Sequence, residues 1–391
     1  MCYDGQRTIV HSVERRSGTR QARELDFGMD LSIMRMKEKH TMKLLKMLLG
    51  LLLAVMVLAG GFIGYLSVTE YRPDDVEPLQ VTASARNQEA RAGQMLTVVT
   101  YNTGYGGLGR NQDFFMDGGS MVRPENKSDV EANLSGNLSA LSRLDADAYL
   151  LQEVDLDSYR SYFINQADYY AHGLSLNRAF AYNYKCDFVP FPWPPMRKIQ
   201  SGLVTFTNLR VTEATRESLP VPFQWPVRVA NLKRCLLIER IPVADSSKEL
   251  VLINLHLEAY DDGDGKLAQT KQLMDILAAE YRNGNYVIAG GDFNQVFEGA
   301  DVYPLLDTSH WQPGKLFVSE LPHGFRYVYD ASKPTCRLLN KPYDGNRGTT
   351  QLYVIDGFIV SDNLRVNLVE TVDLNFASSD HNPVRLQVTP L

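Results

Sequence analysis

Six short apolar segments of this chain each end on, or enclose, a side chain able to do acid–base or metal chemistry. LTVVTYN closes on Asn102, DAYLLQ leads into Glu153, VLINLHL holds His256, and YVIAG runs toward Asp292 and Asn294. YVIDGFIV holds Asp356, and Asp380-His381 stand just before NPVRLQV. Runs of this length, rich in Val, Ile, Leu and Tyr and bounded by Gly, Asn and Asp, read as β-strands. A sheet is rigid where its strands end, so the pattern predicts polar side chains converging on one pocket.

Between these strands, Ser128-x-x-Glu131 has capping-box spacing, and Val130, Leu134, Leu138, Leu141 and Leu144 recur at helical intervals. They predict a helix over 129–144. A second helix is expected over 267–281, with further strands over 202–206, 235–241 and 286–289. Residues 187–197 hold four prolines and Trp193 and predict an irregular loop. Strands mixed with helices, without an internal repeat, point to an α/β domain.

Upstream, Met47–Leu66 carries no charged residue. About twenty apolar residues suffice to cross a bilayer. Lys37, Lys39, Lys43 and Lys46 precede the run, and Glu70, Asp74 and Asp75 follow it. Basic flanks stay in the cytoplasm, so the later residues are expected outside the cell. A cleaved signal peptide has a shorter apolar core and a small-x-small site, which Leu58-Ala59-Gly60-Gly61 supplies poorly, so an uncleaved anchor fits better. The expected organisation is 1–42 as a cytoplasmic tail or an upstream extension, 43–68 as a single-pass transmembrane anchor, 69–94 as a linker and 95–391 as the folded domain.

The net charge of −6 hides an asymmetry: residues 1–46 hold ten Lys or Arg against six Asp or Glu, leaving −10 for the remainder. An acidic body argues against a nonspecific grip on long nucleic-acid duplexes. Cys2, Cys186, Cys235 and Cys336 are too scattered for a structural zinc site and read as buried small apolar side chains.

Taken singly, each polar residue has an ordinary explanation: Asn102 as a strand cap, Glu153 as a solvated carboxylate, His256 as a core histidine, Asp380-His381 as a turn. Together they suit phosphoester hydrolysis, in which acidic oxygens hold a hard cation while other groups position water and bind phosphoryl oxygens. TYN at 100–102, LQEV at 151–154, NLHL at 254–257, GGDFN at 290–294, IDGFIVS at 355–361 and SDHNPV at 379–384 resemble the motifs of the endonuclease/exonuclease/phosphatase superfamily. The resemblance covers roughly Leu96–Leu391 and implies a four-layer α/β/β/α sandwich, deoxyribonuclease-I-like, after the membrane helix. It implies Glu153 as the main metal ligand, Asn102 and Asp380 completing or supporting the shell, and Mg²⁺ or Mn²⁺ as the ion. Asp292 and Asn294 would orient the water and a phosphate oxygen, Asp356 would orient His381, and His256 would donate to the phosphoryl group. Whether Asp292 or His381 takes the proton stays open. The expected partner is a phosphate ester, either nucleic acid or a phospholipid head group, with no protein partner indicated. A lipid phosphodiesterase and a catalytically silent binding module stand beside the nuclease reading.

Other features carry less. Asp155 stands where nucleases of the superfamily tend to carry a basic residue, which weighs against DNA. Tyr182, Tyr184 and Lys185 fall where relatives place a phosphate-contacting group. Asp261, Asp262 and Asp264 lack the glutamate that closes a calcium loop and read as solvated. Asn126, Asn133 and Asn137 head formal glycosylation sequons, the last two inside a predicted helix. CDFVPFPWPP at 186–195 reads as a packed surface loop, or as a lip toward substrate or membrane.

Overall fold

The computed structural model describes residues 10–391 apart from 262 and 307, so Cys2 and Asp262 lie outside the described residues. The chain forms two units that part between Tyr65 and Leu66. Helix α1, Val10–Val68, makes the first unit and runs into the start of the second. From Leu25 onward α1 is long and apolar enough to cross a membrane, its most apolar 18-residue stretch having a mean hydropathy of 2.5. Leu48, Leu52 and Val55 on it are exposed.

In the second unit two sheets face each other. One has six strands in the order Leu364–Thr371, Val384–Pro390, Leu96–Asn102, Ala148–Asp155, Arg197–Thr207, Asn177–Val189. The other has eight, running Val76–Pro78, Glu213–Ser218, Cys235–Ala244, Glu249–His256, Tyr286–Asp292, Asp356–Ser361, Phe325–Val328, with Ala90–Arg91 beside Cys235–Ala244. Alternation sorts their side chains. Val98, Leu150 and Leu386 of the first meet Leu252, Ile288 and Phe358 of the second. Val99, Tyr101 and Leu151 point the other way, onto Val130, Leu134 and Leu141 of helix α2 (Lys127–Leu144) and Tyr170 of helix α3 (Gln166–Leu174). On the far side, Val251, Ile253 and Val287 pack on Leu273, Met274 and Leu277 of helix α4 (Asp264–Arg282). The result is the expected α/β/β/α stack, in which each buried aliphatic side chain contributes about 1.5–3 kcal/mol.

Two motif residues tie the sheets together. Gln152 Nε2 donates to Asn254 Oδ1 across the interface at 2.8 Å. Asn254 Nδ2 donates back to the carbonyls of Leu151 and Val204, both at 3.1 Å. Buried amides are tolerated because they are paired in this way.

The segment 69–94 is not a free linker. Val76–Pro78 adds an edge strand to Glu213–Ser218, Thr82 bridges to Arg178, and Ala90–Arg91 pairs with Val243 and Ala244. Its side chains do not alternate, yet its backbone groups find partners, and Pro78 sits on an edge where no ladder donor is required. Residues 353–360 also differ from one expected strand: they split into the ends of Leu352–Tyr353 and Asp356–Ser361.

Candidate active site

Register brings the first group of polar residues together. Asp292 pairs with His256 on one side and with Asp356 on the other, so three adjacent strands of one sheet present them in a row. Gly291 permits this approach: a Cβ there would lie 1.9 Å from the Leu255 carbonyl oxygen. The opposite sheet presents Asn102 beside Gln152, and Glu153 follows where the ladder to Arg197–Thr207 slips. Glu153 and Asn294 adopt φ of 54° and 51°. Left-handed backbone costs a non-glycine residue roughly 1 kcal/mol or more, and such strain gathers at functional sites.

The side chains then interlock. Asn102 Nδ2 donates to Asp292 Oδ2 at 3.0 Å and to Glu153 Oε1 at 3.3 Å, and lies 3.5 Å from His381 Nε2. His381 Nδ1 lies 2.8 Å from Asp356 Oδ2, and its Nε2 faces Asp292 Oδ2 at 3.6 Å and Asp380 Oδ2 at 3.8 Å. His256 Nε2 is 3.4 Å from Asp292 Oδ2. The Asn294 backbone N–H donates to Asp292 Oδ1 at 2.9 Å, and its Nδ2 donates to the Leu257 carbonyl at 2.9 Å.

Burial dominates the electrostatics. It pushes Asp292 up to about 6 and Asp380 up to about 7, and it raises Glu153. Burial alone would lower His381, but Asp356, Cys336, Asp292 and Asp380 outweigh it and hold the imidazole well above its usual value. Burial, then the charges of Arg234 and His381, keep His256 well below, as a neutral ring. Asp292, Asp356 and His381 offer ligating atoms within 4.8 Å of one another, as do Cys336, Asp380 and His381. A cluster whose ligating atoms are mostly carboxylate and amide oxygens fits a hard divalent cation.

A model described as the Endonuclease/Exonuclease/phosphatase family matches residues 99–381. The chain belongs to that family. Comparison with curated proteins returns no match. Among solved structures, an endonuclease/exonuclease/phosphatase from Beutenbergia cavernae superposes with a TM-score of 0.51 at 15% identity, over 76% of this chain and 72% of that one. A family protein from Bacteroides thetaiotaomicron gives 0.49 at 17%, over 76% and 98%. ANGEL2, described as a 2′,3′-cyclic phosphatase, gives 0.48 at 14%, over 80% and 99%. At such identities the likeness is one of fold.

In this family member several supports of the site were not among the residues the sequence singled out. Thr335 Oγ1 accepts the N–H groups of Ile355 and Asp356 at 3.0 and 3.1 Å. Ser379, inside SDHNPV, donates to the Asn102 carbonyl at 2.8 Å and accepts the His381 N–H at 3.2 Å. Tyr260 donates to Asp117 at 2.9 Å, and burial pushes that carboxyl up to about 6.

Asp155 does not face a substrate. It is fully buried, and Arg160 clamps it at 2.9 and 3.1 Å while Ser161 adds a bond at 2.8 Å. The Arg160 guanidinium lies 3.7 Å over the Tyr105 ring. Asp155 therefore does not weigh against nucleic acid, because its charge is already neutralised by Arg160.

Among the described residues, none of Tyr182, Tyr184 and Lys185 hydrogen-bonds to the clustered groups. Tyr184 donates to the Ala230 carbonyl, and the Lys185 ammonium lies over the Tyr182 ring. Asp261 pairs with Lys266 at 3.0 Å and accepts the N–H groups that open α4. Asn133 and Asn137 are buried, bonded to the Gly106 carbonyl and the Tyr101 hydroxyl respectively, so neither is open to glycosylation. Cys186, Cys235 and Cys336 are buried free thiols.

Proposed function

We propose that this chain is a membrane-anchored, divalent-metal-dependent phosphoesterase acting on phosphodiesters, with phosphomonoesters as the second class. One observation carries the reading: Asn102 donates to both Glu153 and Asp292, so carboxylates from the two sheets share one pocket with His381 and Asp356.

Glu153 and Asp380, with Asn102 beside them, are the groups that would hold the cation. When bound, it supplies charge neutralisation at the phosphoryl oxygens. Asp292, with one oxygen fixed by the Asn294 N–H and a pKa near 6, is suited to take a proton from water near neutral pH. His381, held as a cation by Asp356, is suited to donate to the oxygen on which charge develops. This division favours Asp292 over His381 as the base. His256, neutral and facing Asp292, is positioned as a second donor. Without a cation, Glu153, Asp292, Asp356 and Asp380 would repel an anionic phosphate ester, which supports metal dependence in this reading.

The anchor reading rests on the exposed apolar side chains of α1, which water would not tolerate as a lone helix, and on the lysines that precede them. A protease added to intact cells should then remove the catalytic domain, and survival of that domain would contradict the outward orientation. The enzyme reading is tested by release of p-nitrophenol from bis-p-nitrophenyl phosphate with Mg²⁺, Mn²⁺ or EDTA. A wild type no faster than Glu153→Ala or His381→Ala would sink it.

A further inference from the structure

Two proline-rich loops break the rule that large aromatic side chains are at least half covered. Trp193 is 91% exposed and Phe191 67%, while Trp225 and Val227 are each 59% exposed. Their bases are stitched together. Tyr184 donates to the Ala230 carbonyl at 2.7 Å, and Cys186, Val189 and Met196 pack with Ala230 and Leu232. The two tips therefore belong to one surface.

That surface is tied at both ends. At one end the Trp225 indole N–H donates to Ser67 Oγ at 2.9 Å, and Arg228 and Lys233 hold Glu70 at 3.0 and 3.4 Å. Ser67 follows directly on the uncharged run Met47–Leu66, so Trp225 is fastened to the residue at which a bilayer-crossing segment would emerge. At the other end Phe191 stacks edge-on against Phe115, centroids 5.6 Å apart, on the short turn that also carries Asp117. Asp117 accepts from Tyr260, and the charge of Glu153 is among the causes of its raised pKa.

We infer that Phe191, Trp193, Trp225 and Val227 dock into the lipid–water interface of the membrane in which the chain is anchored, holding the mouth of the catalytic pocket against phospholipid head groups. Trp favours that interface because its ring is apolar and its N–H is polar. Continuity with Ser67 selects lipid over a protein partner as the occupant. Where it concerns substrate, the inference rests on the phosphoesterase reading; where it concerns docking, it stands without it.

The test uses the full chain reconstituted in phosphatidylcholine vesicles. Trp225→Phe/Trp311→Phe leaves Trp193 as the sole indole, and Trp193→Phe/Trp311→Phe leaves Trp225. Docking predicts that acyl chains brominated near the carboxyl end quench both reporters and that vesicles shield them from aqueous iodide. Reporters as open to iodide in vesicles as in detergent micelles overturn it, whether the loops are free or cover another protein. A second measurement compares Phe191→Ser/Trp193→Ser with wild type on a head-group diester in the bilayer and on bis-p-nitrophenyl phosphate in solution. The expected result is a loss of about tenfold or more on the bilayer substrate alone, since interfacial binding scales with buried apolar area. Equal loss on both substrates overturns the docking role. If wild type cleaves neither, the phosphoesterase reading fails, while quenching still decides the docking.

Discussion

His381 Nδ1 sits 2.8 Å from Asp356 Oδ2, the histidine reaching in from the segment that leads into Val384–Pro390 of one sheet and the aspartate opening Asp356–Ser361 of the other. The carboxylate sets the orientation of the ring and keeps its charge. Asp356→Asn should therefore lower kcat by about 10²–10³-fold with little change in KM, as expected for loss of an interaction made in the transition state. It should also move the alkaline limb of the pH–rate profile to lower pH, because His381 would lose its proton more readily. A variant with an unchanged profile would remove His381 from this role.

Metal binding should be visible without turnover. Burial raises Glu153, Asp292 and Asp380 more than the charges of His381, Arg160 and Arg337 lower them, so added Mg²⁺ should stabilise the fold. At a hundredfold excess over Kd the gain is about 2.7 kcal/mol. A rise in Tm with Mg²⁺, reversed by EDTA and absent in Glu153→Gln, is the expected outcome in a calorimetric scan. A shift equal in wild type and variant would place the metal elsewhere.

Asp155 and Arg160 form a buried pair, and removing one partner strands the other. Asp155→Ala should cost about 3–5 kcal/mol in urea unfolding. Asp155→Leu/Arg160→Met, which leaves no charge behind, should recover much of that. If the double variant is as unstable as the single one, the clamp on Tyr105 matters more than the ion pair.

Glu239 gives a pH signature of stability. It is 1% exposed, and among the described residues neither carboxylate oxygen has a hydrogen-bond partner. Burial pushes it from near 4.5 up to about 8. The folded protein thus keeps a proton that the unfolded chain releases. Stability from this group is complete below the unfolded value and is lost as pH rises through the folded one, at about 1.4 kcal/mol per pH unit. Glu239→Gln should flatten that decline between the two values. Parallel urea midpoints for wild type and variant across that range would refute it.

The eight motif residues were legible because each ends, opens or closely flanks a run whose composition announces a strand, and Leu96–Asn102 begins and ends where those residues predict. The positions that complete the site were not. Arg160 reaches back five residues to Asp155 from a short turn, and no periodicity marks such a contact. Asn177–Val189 mixes Arg, Tyr, Lys and Asp with small apolar residues, so an edge strand with two register shifts does not show a clean alternation. Residues 76–91 were misread for a related reason: their strands are two or three residues long, and their pairing partners lie far along the chain.

The hydrogen bonds from Asn102 to Glu153 and Asp292 cross the seam of the sandwich, since Asn102 and Glu153 stand on one sheet and Asp292 on the other. Neither half of the fold contains a working fraction of the site. On the proposed reading, catalysis would be an all-or-none gauge of sheet docking: a fragment, a permuted half or a sandwich slipped by one pleat would keep every motif and lose the cluster that the two sheets assemble.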